Sequence, residues 1–344
     1  MDKYTPTGSQ KKIAIFGIGN FGYAILKHLD KKADPRHTLF AFDVNKTVTD
    51  TLRKTHRHPY LHPTVSVSKN IQFPKSPQEL VKNADIVVLV VPSEATREVV
   101  RTIKNHLKDG AIIVNTAKAL DYKTSRRLSE IIKEELRGKT YSYAFLAGGT
   151  IASDLFKHEP LGVDVAGDDK RILPLVKKLF QSPNLSVYTN TDLTGLEYAA
   201  AFKNVISILA GIIKGMGFSY GSETHVISRA AYEMERIVTR KLGGKKATFS
   251  MKSQCWGNDL WMSCTGNTRN RQFGILLGQG LSPHQAIKQM KREGKTVEGV
   301  KTIAVLNKIT DTEKYPLTHF LHQYIAKNST TLEALKKLIM SNKF

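Results

Sequence analysis

The pattern of hydrophobic and polar positions changes near residue 190. Before that point, short apolar runs of strand length alternate with stretches in which apolar residues recur at helical spacing. In chain order the apolar runs read KKIAIF, HTLFAF, ADIVVLVV, GAIIVN and YSYAFLA. Strands that alternate with helices in this way favour a doubly wound parallel sheet with helices on both faces.

After residue 190 only helical spacing continues. Residues 196–217 predict one long and largely apolar helix, and residues 224–242 and 283–343 show further helical periodicity. Glycine, lysine and asparagine interrupt the long apolar stretch, so no membrane span is expected. We therefore expect an α/β domain over residues 1–190 followed by an all-α domain over residues 191–344.

The first apolar run leads directly into the glycine-rich sequence GIGNFG and then into a helical pattern. Strand, G-x-G-x-x-G and helix in this order are typical of a dinucleotide-binding turn, although glycines needed only for packing would look the same. Gly17 permits the tight turn, Gly19 lets a pyrophosphate approach the backbone, and Gly22 lets helix and strand pack closely. The helix N-terminus offers N–H groups to the phosphates. These features predict a Rossmann-type domain with Asn20 and Phe21 in the dinucleotide turn.

A carboxylate stands at the end of the second apolar run. Asp43 can accept hydrogen bonds from the ribose hydroxyls of NAD and repel the 2′-phosphate of NADP, although a solvated turn aspartate would fit the pattern as well. Ligands of such sheets bind beyond the carboxyl ends of the strands. We therefore expect Ser93, Lys118 and the turn Gly148–Thr150, which follow later strands, to lie at the ligand site.

The chain is strongly basic, with 52 Lys+Arg against 30 Asp+Glu and a net charge of +22. Such a field attracts anions. A generally basic surface explains this charge as well as the attraction of phosphorylated ligands does. Because the basic residues are spread along the chain and form no nucleic-acid-binding motif, we expect no dedicated nucleic-acid binding, a small phosphorylated substrate, and at most a weak attraction to anionic lipid. Two cysteines provide neither a disulfide framework nor metal-ligand spacing, and HRHPYLHP (57–64) is interpreted as a loop, not a metal site. The polar start MDKYTPTGSQ has no apolar signal segment, so a cytoplasmic protein is expected.

Several motifs in a fixed order make the chain resemble a known enzyme family. Between about residue 11 and residue 310 it carries GIGNFG, VVPS, NTAKAL, LAGGTIASDLF, AAAFKNVISILAGI, NDLWMSCTGNTRNRQFG and KTVEGV. In order and spacing this series resembles NAD(P)-dependent glycerol-3-phosphate dehydrogenase. The resemblance implies hydride transfer between NAD, or alternatively NADP, and the pair dihydroxyacetone phosphate and sn-glycerol 3-phosphate. It also implies a homodimer that supplies glycerol 3-phosphate for phospholipid synthesis.

Two lysines are candidates for the proton chemistry of this reaction. Lys203 lies in an apolar helical stretch, where an ammonium group is costly unless it is paired or faces a cleft. Buried lysines exchange protons near neutrality, so we expect Lys203 to protonate the carbonyl oxygen and to accept the proton in reverse. The resemblance implies that Asp259 lies beside it. Lys118 is expected near both substrate and cofactor, where it stabilises the developing alkoxide. A snorkelling Lys203 and a loop ion pair of Lys118 are the alternatives.

The sequence TRNR suits the binding of a phosphate group. A guanidinium makes paired hydrogen bonds to phosphate oxygens. If Thr268, Arg269 and Asn270 start a helix, their backbone N–H groups also face the anion. The resemblance implies that Arg269 and Asn270 hold the substrate phosphate, that Arg269 also lies close to the cofactor, and that Thr268 lies at the substrate. An exposed helix start without a ligand is the alternative. Arg271 is expected to face solvent or an acidic neighbour.

Family resemblance assigns the remaining candidate residues. Gly148 and Thr150 match a substrate-facing turn, Ala152 matches a cofactor contact, and Glu298 matches an acid near the nicotinamide ribose. Asn204 is expected either to contact the cofactor or only to support packing.

Four positions depart from the family pattern. Gly149, Ala119 and the pair Ala199 and Ala200 replace residues that are usual in the family. They leave open a related phosphorylated hydroxy compound as the substrate. The residues also remain compatible with a dehydrogenase for a hydroxy acid or an opine, and with a catalytically silent protein that binds nucleotides or nucleic acid.

Overall fold

A computed structural model describes residues 10–32 and 34–341 of the chain. The polar start on which the expectation of a cytoplasmic protein rests lies almost wholly outside these residues. The described residues form two compact units. The first contains the described parts of Met1–Lys118 and Leu128–Leu193, and the second contains those of Ala119–Arg127 and Thr194–Phe344.

The first unit is built on a seven-stranded sheet in which the strand order is β2-β1-β3-β4-β5-β6-β7. The strands are β1 Lys11–Phe16, β2 His37–Phe42, β3 Ile86–Leu89, β4 Ala111–Asn115, β5 Tyr141–Ala147, β6 Leu161–Gly167 and β7 Leu185–Thr189. Neighbouring strands are parallel except β5 and β6, which are antiparallel. The chain passes from β1 to β2 on one side and returns to β3 on the other, which places a topological switch point at the end of β1.

Helices connect the strands of this sheet. They are α1 Asn20–Lys32, α2 Lys46–Thr55, α3 Pro77–Val81, α4 Ser93–Ile103, α5 Leu128–Glu135, α6 Ala152–Lys157 and α7 Leu173–Phe180. Every residue of β3 and β4 is buried, as the unbroken apolar runs IVVL and AIIVN require. Side chains of β1, α1 and α7 join them in one hydrophobic core.

The second unit is helical. Its helices are α8 Leu193–Gly215, α9 Tyr220–Lys241, α10 Asp259–Thr265, α11 Arg269–Gly278, α12 Pro283–Arg292, α13 Glu298–Ile309, α14 Pro316–Leu321 and α15 Leu332–Met340. π-Helical turns at Gln254–Asn258 and His322–Lys327 adjoin α10 and α14. Local capping explains several starts: the Ser282 hydroxyl and the Gln285 side chain form a reciprocal capping box at α12. The predicted α/β fold with an all-α second part is confirmed.

α8 is the central helix of the second unit. Among the described residues it is the one helix that is long and apolar enough, by length and composition, to cross a membrane. Its whole apolar window is buried inside the protein, which is the pattern of a core helix. The buried face therefore surrounds the helix, and a polar residue within it must find its partner inside the protein.

Candidate active site

The glycine-rich segment after β1 forms a tight turn, residues 17–22, which we call the dinucleotide turn. Gly17 has a φ of +94°, and a Cβ atom there would lie 2.4 Å from the Val90 carbonyl oxygen. A Cβ on Gly22 would lie 1.9 Å from the Gly17 carbonyl oxygen, so helix α1 meets the strand end backbone to backbone. At Gly19 nothing stands within 4 Å of the position that a Cβ would take. The turn thus leaves open space at the N-terminus of α1, and helix N-termini of this kind attract phosphate groups.

Asp43 lies directly beside this turn. Its Oδ2 accepts a hydrogen bond of 2.7 Å from the Ile18 N–H, and its Oδ1 accepts one of 2.8 Å from the Asn45 N–H. The carboxylate therefore ties the end of β2 to the dinucleotide turn. This contact is a structural function that the sequence pattern did not reveal, and the reading of a ribose by Asp43 stays a prediction.

The other predicted residues of the first unit follow the carboxyl ends of the strands. Ser93 is the first residue of α4, and Ala152 is the first residue of α6. The Lys118 ammonium donates a 2.6 Å hydrogen bond to the Gly148 carbonyl oxygen, which joins the loop after β4 to the turn after β5. Thr150 closes that turn with a 2.8 Å bond from its N–H to the same carbonyl. The structure therefore brings Lys118, Gly148 and Thr150 together.

In the second unit, the structure brings Lys203 and Asp259 together in the protein interior. The Lys203 Nζ lies 2.6 Å from Asp259 Oδ1 and 2.8 Å from Ser263 Oγ. Lys203 is 5% exposed and Asp259 is fully buried. We call Lys203, Asp259 and Ser263 the amine site. A buried ion pair of this kind holds its two charges in one geometry because separating them would leave a charge uncompensated.

Sequence reasoning missed Ser263. It lies four residues after Asp259 on α10, so both side chains occupy one face of that helix. The Ser263 carbonyl accepts hydrogen bonds of 2.6 Å from the Ser207 hydroxyl on α8 and 2.8 Å from the Thr268 hydroxyl before α11. This one residue therefore joins Lys203 to the start of α11. The spacing within NDLWMSC was the available signal.

Small residues let α11 lie directly on α8. A Cβ on Gly211 would lie 2.2 Å from the Arg271 carbonyl oxygen, and a Cβ on Gly274 would lie 2.1 Å from the Ile208 carbonyl oxygen. Because Gly211 and Gly274 carry no side chain, α11 packs backbone to backbone against the part of α8 that lies one to two turns after Lys203. Any larger residue would have to push the two backbones apart.

The predicted phosphate-binding residues form the start of α11, as expected from TRNR. Thr268 is the residue before the helix, and Arg269 is its first residue. The Arg269 side chain is 54% exposed and lies 3.6 Å from the Glu298 carboxylate. The Asn270 side chain is instead engaged by the protein: its amide donates to Asn204 Oδ1 and its oxygen accepts from the Gly299 N–H, both at 3.0 Å.

Arg271 faces an acidic neighbour, one of the two environments expected for it. Its Nη2 lies 2.6 Å from Glu223 Oε1 on α9, with side-chain exposures of 16% and 2%. The sequence carried no signal for Glu223, because an acid within a helical pattern usually faces solvent. Within TRNR the two arginines therefore differ: Arg269 is exposed and loosely paired, whereas Arg271 is partly buried and tightly paired with a buried carboxylate.

The histidine-rich loop and the cysteines have structural positions. His58 and His62 contact the dinucleotide turn. Burial raises the pKa of the Cys264 thiol to about 12. In the described part of the chain, no three His, Cys, Asp or Glu side chains are grouped so that they could hold a metal ion. A polar cavity of about 600 Å³, which includes His319 and His322 in its wall, contains none of the predicted site residues.

Comparisons with known proteins agree over nearly the whole chain. Residues 12–173 match the model of the NAD-dependent glycerol-3-phosphate dehydrogenase N-terminus, and residues 192–336 match that of its C-terminus. The glycerol-3-phosphate dehydrogenase (NAD(P)+) of Clostridium tetani is 32% identical over 341 residues, covering 97% of this chain and 93% of the relative. That of Fusobacterium nucleatum is 30% identical over 333 residues, covering 96% and 97%. A crystal structure of glycerol-3-phosphate dehydrogenase from Coxiella burnetii shares the fold, with a TM-score of 0.84, 24% identity, and coverage of 96% of this chain and 99% of that one.

Proposed function

Because the chain belongs to the NAD-dependent glycerol-3-phosphate dehydrogenase family, we propose that it interconverts dihydroxyacetone phosphate and sn-glycerol 3-phosphate through the amine site and the start of α11. Membership makes the chain an oxidoreductase that uses a nicotinamide dinucleotide. The observation that carries the residue assignment is the set of hydrogen bonds that joins the Lys203 ammonium through Ser263 to Thr268. A proton donor and an anion-binding helix start are thereby held next to each other.

The dinucleotide turn fits the cofactor. Open space at Gly19 and the N-terminus of α1 suit a pyrophosphate, because the first N–H groups of a helix have no partner within the helix. Asn20 and Phe21 form the first turn of this helix. When bound, the reduced nicotinamide supplies the hydride. Asp43, beside the turn, favours NAD over NADP through its negative charge, with NADP as the alternative cofactor.

Three further residues are assigned to the cofactor by their places in the fold. Ser93 and Ala152 each open a helix that follows a strand of the parallel part of the sheet, which is where ligands of this fold bind. Glu298 opens α13 and lies 3.6 Å from Arg269, in agreement with a shared position near the nicotinamide ribose.

Lys203 moves the proton. As hydride adds to the ketone carbon, the electron pair of the C=O bond moves to oxygen, and the Lys203 ammonium gives that oxygen a proton and becomes a neutral amine. In the reverse direction the amine takes the hydroxyl proton. Asp259 holds the ammonium in place and balances its charge, and Ser263 fixes its direction. Lys118 stabilises the negative charge that develops on oxygen, which accounts for a cation tied to the Gly148–Thr150 turn.

Arg269 binds the substrate phosphate. Its long and exposed contact with Glu298 has little energy, so the guanidinium can exchange this partner for a doubly charged phosphate. The N–H groups of Arg269 and Asn270, in the first turn of α11, add donors aligned with the positive end of the helix dipole, whereas the Thr268 N–H already donates to the Gly266 carbonyl oxygen at 3.0 Å. The side chain of Asn270 is occupied by Asn204 and Gly299, so its contribution to the phosphate comes from the backbone.

The setting of the reaction is also part of the proposal. A cytoplasmic homodimer that supplies glycerol 3-phosphate for phospholipid synthesis agrees with the family resemblance. The oligomeric state is measured by sedimentation equilibrium of the full chain. A single species with the mass of one 38.4 kDa chain would contradict the dimer.

The proposed reaction is tested by initial rates of NADH and NADPH oxidation with dihydroxyacetone phosphate, and of NAD reduction with sn-glycerol 3-phosphate. We expect turnover in both directions and higher kcat/KM with NADH than with NADPH. Absence of turnover with either nicotinamide, or faster turnover with a 2-oxo acid, would contradict the proposal.

A further inference from the structure

Side chains from outside the dinucleotide turn hold both the N–H and the carbonyl of Ile18. Its N–H donates to Asp43 Oδ2 at 2.7 Å, and its carbonyl lies 2.9 Å from His58 Nε2. The next residue, Gly19, has an N–H that bonds to no other residue in the described part of the chain, and the space beside it is open. The turn therefore presents the Gly19 N–H as a donor, and the direction of this N–H depends on how the Ile18 carbonyl is held.

His58 is built to donate to that carbonyl. Its Nδ1 accepts from the N–H groups of Tyr60 and Leu61, both at 3.2 Å, so the ring proton is on Nε2, which faces Ile18. The ring is 6% exposed and lies 5.3 Å from the Tyr23 ring, centroid to centroid. Burial lowers the pKa of His58, which keeps the ring neutral and Nδ1 free of a proton at neutral pH.

A second histidine of the same loop reaches the same turn. His62 Nε2 lies 3.1 Å from Asn20 Oδ1, and its ring centroid lies 4.0 Å from that of Phe156 on α6. The loop HRHPYLHP thus contacts the turn at two successive places, the Ile18 carbonyl and the Asn20 side chain. These contacts give the loop a role for which the sequence had suggested only a connection.

We propose that His58 is a positioning residue for dinucleotide binding, which aims the Gly19 N–H at the pyrophosphate by holding the Ile18 carbonyl. In a trans peptide the C=O and the following N–H point in opposite directions, so a bond that fixes the Ile18 carbonyl also fixes the Gly19 N–H. The same bond polarises the peptide and strengthens its N–H as a donor. The inference rests on the proposed use of a nicotinamide dinucleotide and goes beyond it, because it assigns the direction of one backbone donor to one histidine.

Two substitutions separate the bond to the turn from the local fold of the loop. The amide oxygen of Asn in His58→Asn takes the place of Nδ1 and still accepts from Tyr60 and Leu61, but the side chain does not reach Ile18. The amide nitrogen of Gln in His58→Gln takes the place of Nε2 and restores a donor to the carbonyl. Binding of NADH and of ADP-ribose, which has the pyrophosphate but no nicotinamide, is measured by fluorescence titration and by competition, without substrate.

We expect His58→Asn to weaken both ligands by the same factor, about three- to tenfold, which corresponds to one hydrogen bond. His58→Gln should stay within about twofold of the wild type for both ligands. Wild-type affinity for both ligands in His58→Asn would overturn the proposal. So would an equal loss in both variants, which a purely structural ring predicts, or a wild type that binds neither ligand. Because no substrate is present, a protein that binds NADH but does not reduce dihydroxyacetone phosphate would refute the proposed reaction and leave this inference standing.

Discussion

The dinucleotide turn and the start of α11 are the two helix N-termini at which we propose phosphate binding, but they are built differently. In the turn the donors are backbone N–H groups, and the nearby side chains of Asp43 and His58 support the backbone. At α11 the exposed Arg269 guanidinium projects from the helix start, and the amine site lies beside it. A site made of backbone needs glycines to make room, whereas a site made of side chains needs neighbours that hold each charge.

We propose that Lys203 in the helical unit transfers the proton and that the dinucleotide turn binds the pyrophosphate. Replacing Lys203 by Met should therefore lower kcat about 10²- to 10⁴-fold, the usual contribution of a general acid, and leave NADH affinity unchanged. Initial rates and NADH titrations measure the two effects. Because the variant removes the cation that lies 2.6 Å from the buried Asp259 carboxylate, the double variant Lys203→Met/Asp259→Asn is the control for folding. A parallel loss of NADH binding in the double variant would contradict the assignment.

The two arginines of TRNR are expected to differ in function: Arg269 binds substrate, and Arg271 stabilises the fold. Arg269→Gln should raise KM for dihydroxyacetone phosphate about 10- to 100-fold with little change in stability, because its present ion pair is exposed. Arg271→Gln is the matched control. It should lower the free energy of unfolding by about 3 to 5 kcal/mol, since it leaves the buried Glu223 without its partner. Urea unfolding and steady-state kinetics on both variants make the comparison, and a reversed pattern would refute it.

Substitutions of Gly19 and Gly22 test whether the open space at the dinucleotide turn is needed for NADH binding. Gly19→Ala should fold normally, because its Cβ meets nothing within 4 Å, yet weaken NADH about tenfold or more by occupying the space of the pyrophosphate. Gly22→Ala should instead destabilise the protein by about 1 to 3 kcal/mol, because its Cβ would lie 1.9 Å from a backbone oxygen. Thermal melts with and without NADH distinguish the two. Undiminished NADH binding by Gly19→Ala would show that the dinucleotide lies elsewhere.

The smallest expected effect is a loss of stability at acidic pH. Burial lowers the pKa of His28, whose Nε2 lies 2.7 Å from the Phe180 carbonyl oxygen, and burial also lowers that of His58. Below the ordinary histidine pKa of about 6.5 the unfolded chain therefore binds more protons than the folded one, and the free energy of unfolding should fall as the pH falls. Each group contributes at most about 1.4 kcal/mol per pH unit. Urea midpoints at pH 7.5, 6.0 and 5.0 measure the trend, and His28→Gln should make it shallower. An equal slope in that variant would contradict the assignment.

The difference between the two sites also explains how much of each could be predicted from the sequence. The turn was recognisable because steric constraints act between near neighbours in the chain, so Gly17, Gly19 and Gly22 carry the information locally. The fold followed from unbroken apolar runs such as IVVL. At the amine site, Lys203 was marked by its apolar surroundings, and Asp259 entered by family resemblance. In the structure the Lys203 Nζ and Asp259 Oδ1 lie 2.6 Å apart.

What the sequence did not show are partners brought close only by packing. The contact of Ser263 with Lys203 depends on the packing of α10 against α8. The contact of Glu223 with Arg271 depends on the packing of α9 against α11. His58 lies 40 residues from Ile18 along the chain, so no short motif contains both. The double use of the Asp43 carboxylate by backbone N–H groups was hidden for the same reason.

The central claim is that the start of α11 binds the substrate phosphate. A comparison of two substrates tests this claim most directly. NADH oxidation is followed with dihydroxyacetone phosphate and with unphosphorylated dihydroxyacetone at matched concentrations. A guanidinium and a helix start that bind the phosphate predict a kcat/KM at least about 100-fold higher for the phosphate ester. Equal kcat/KM for the two ketones would contradict the account.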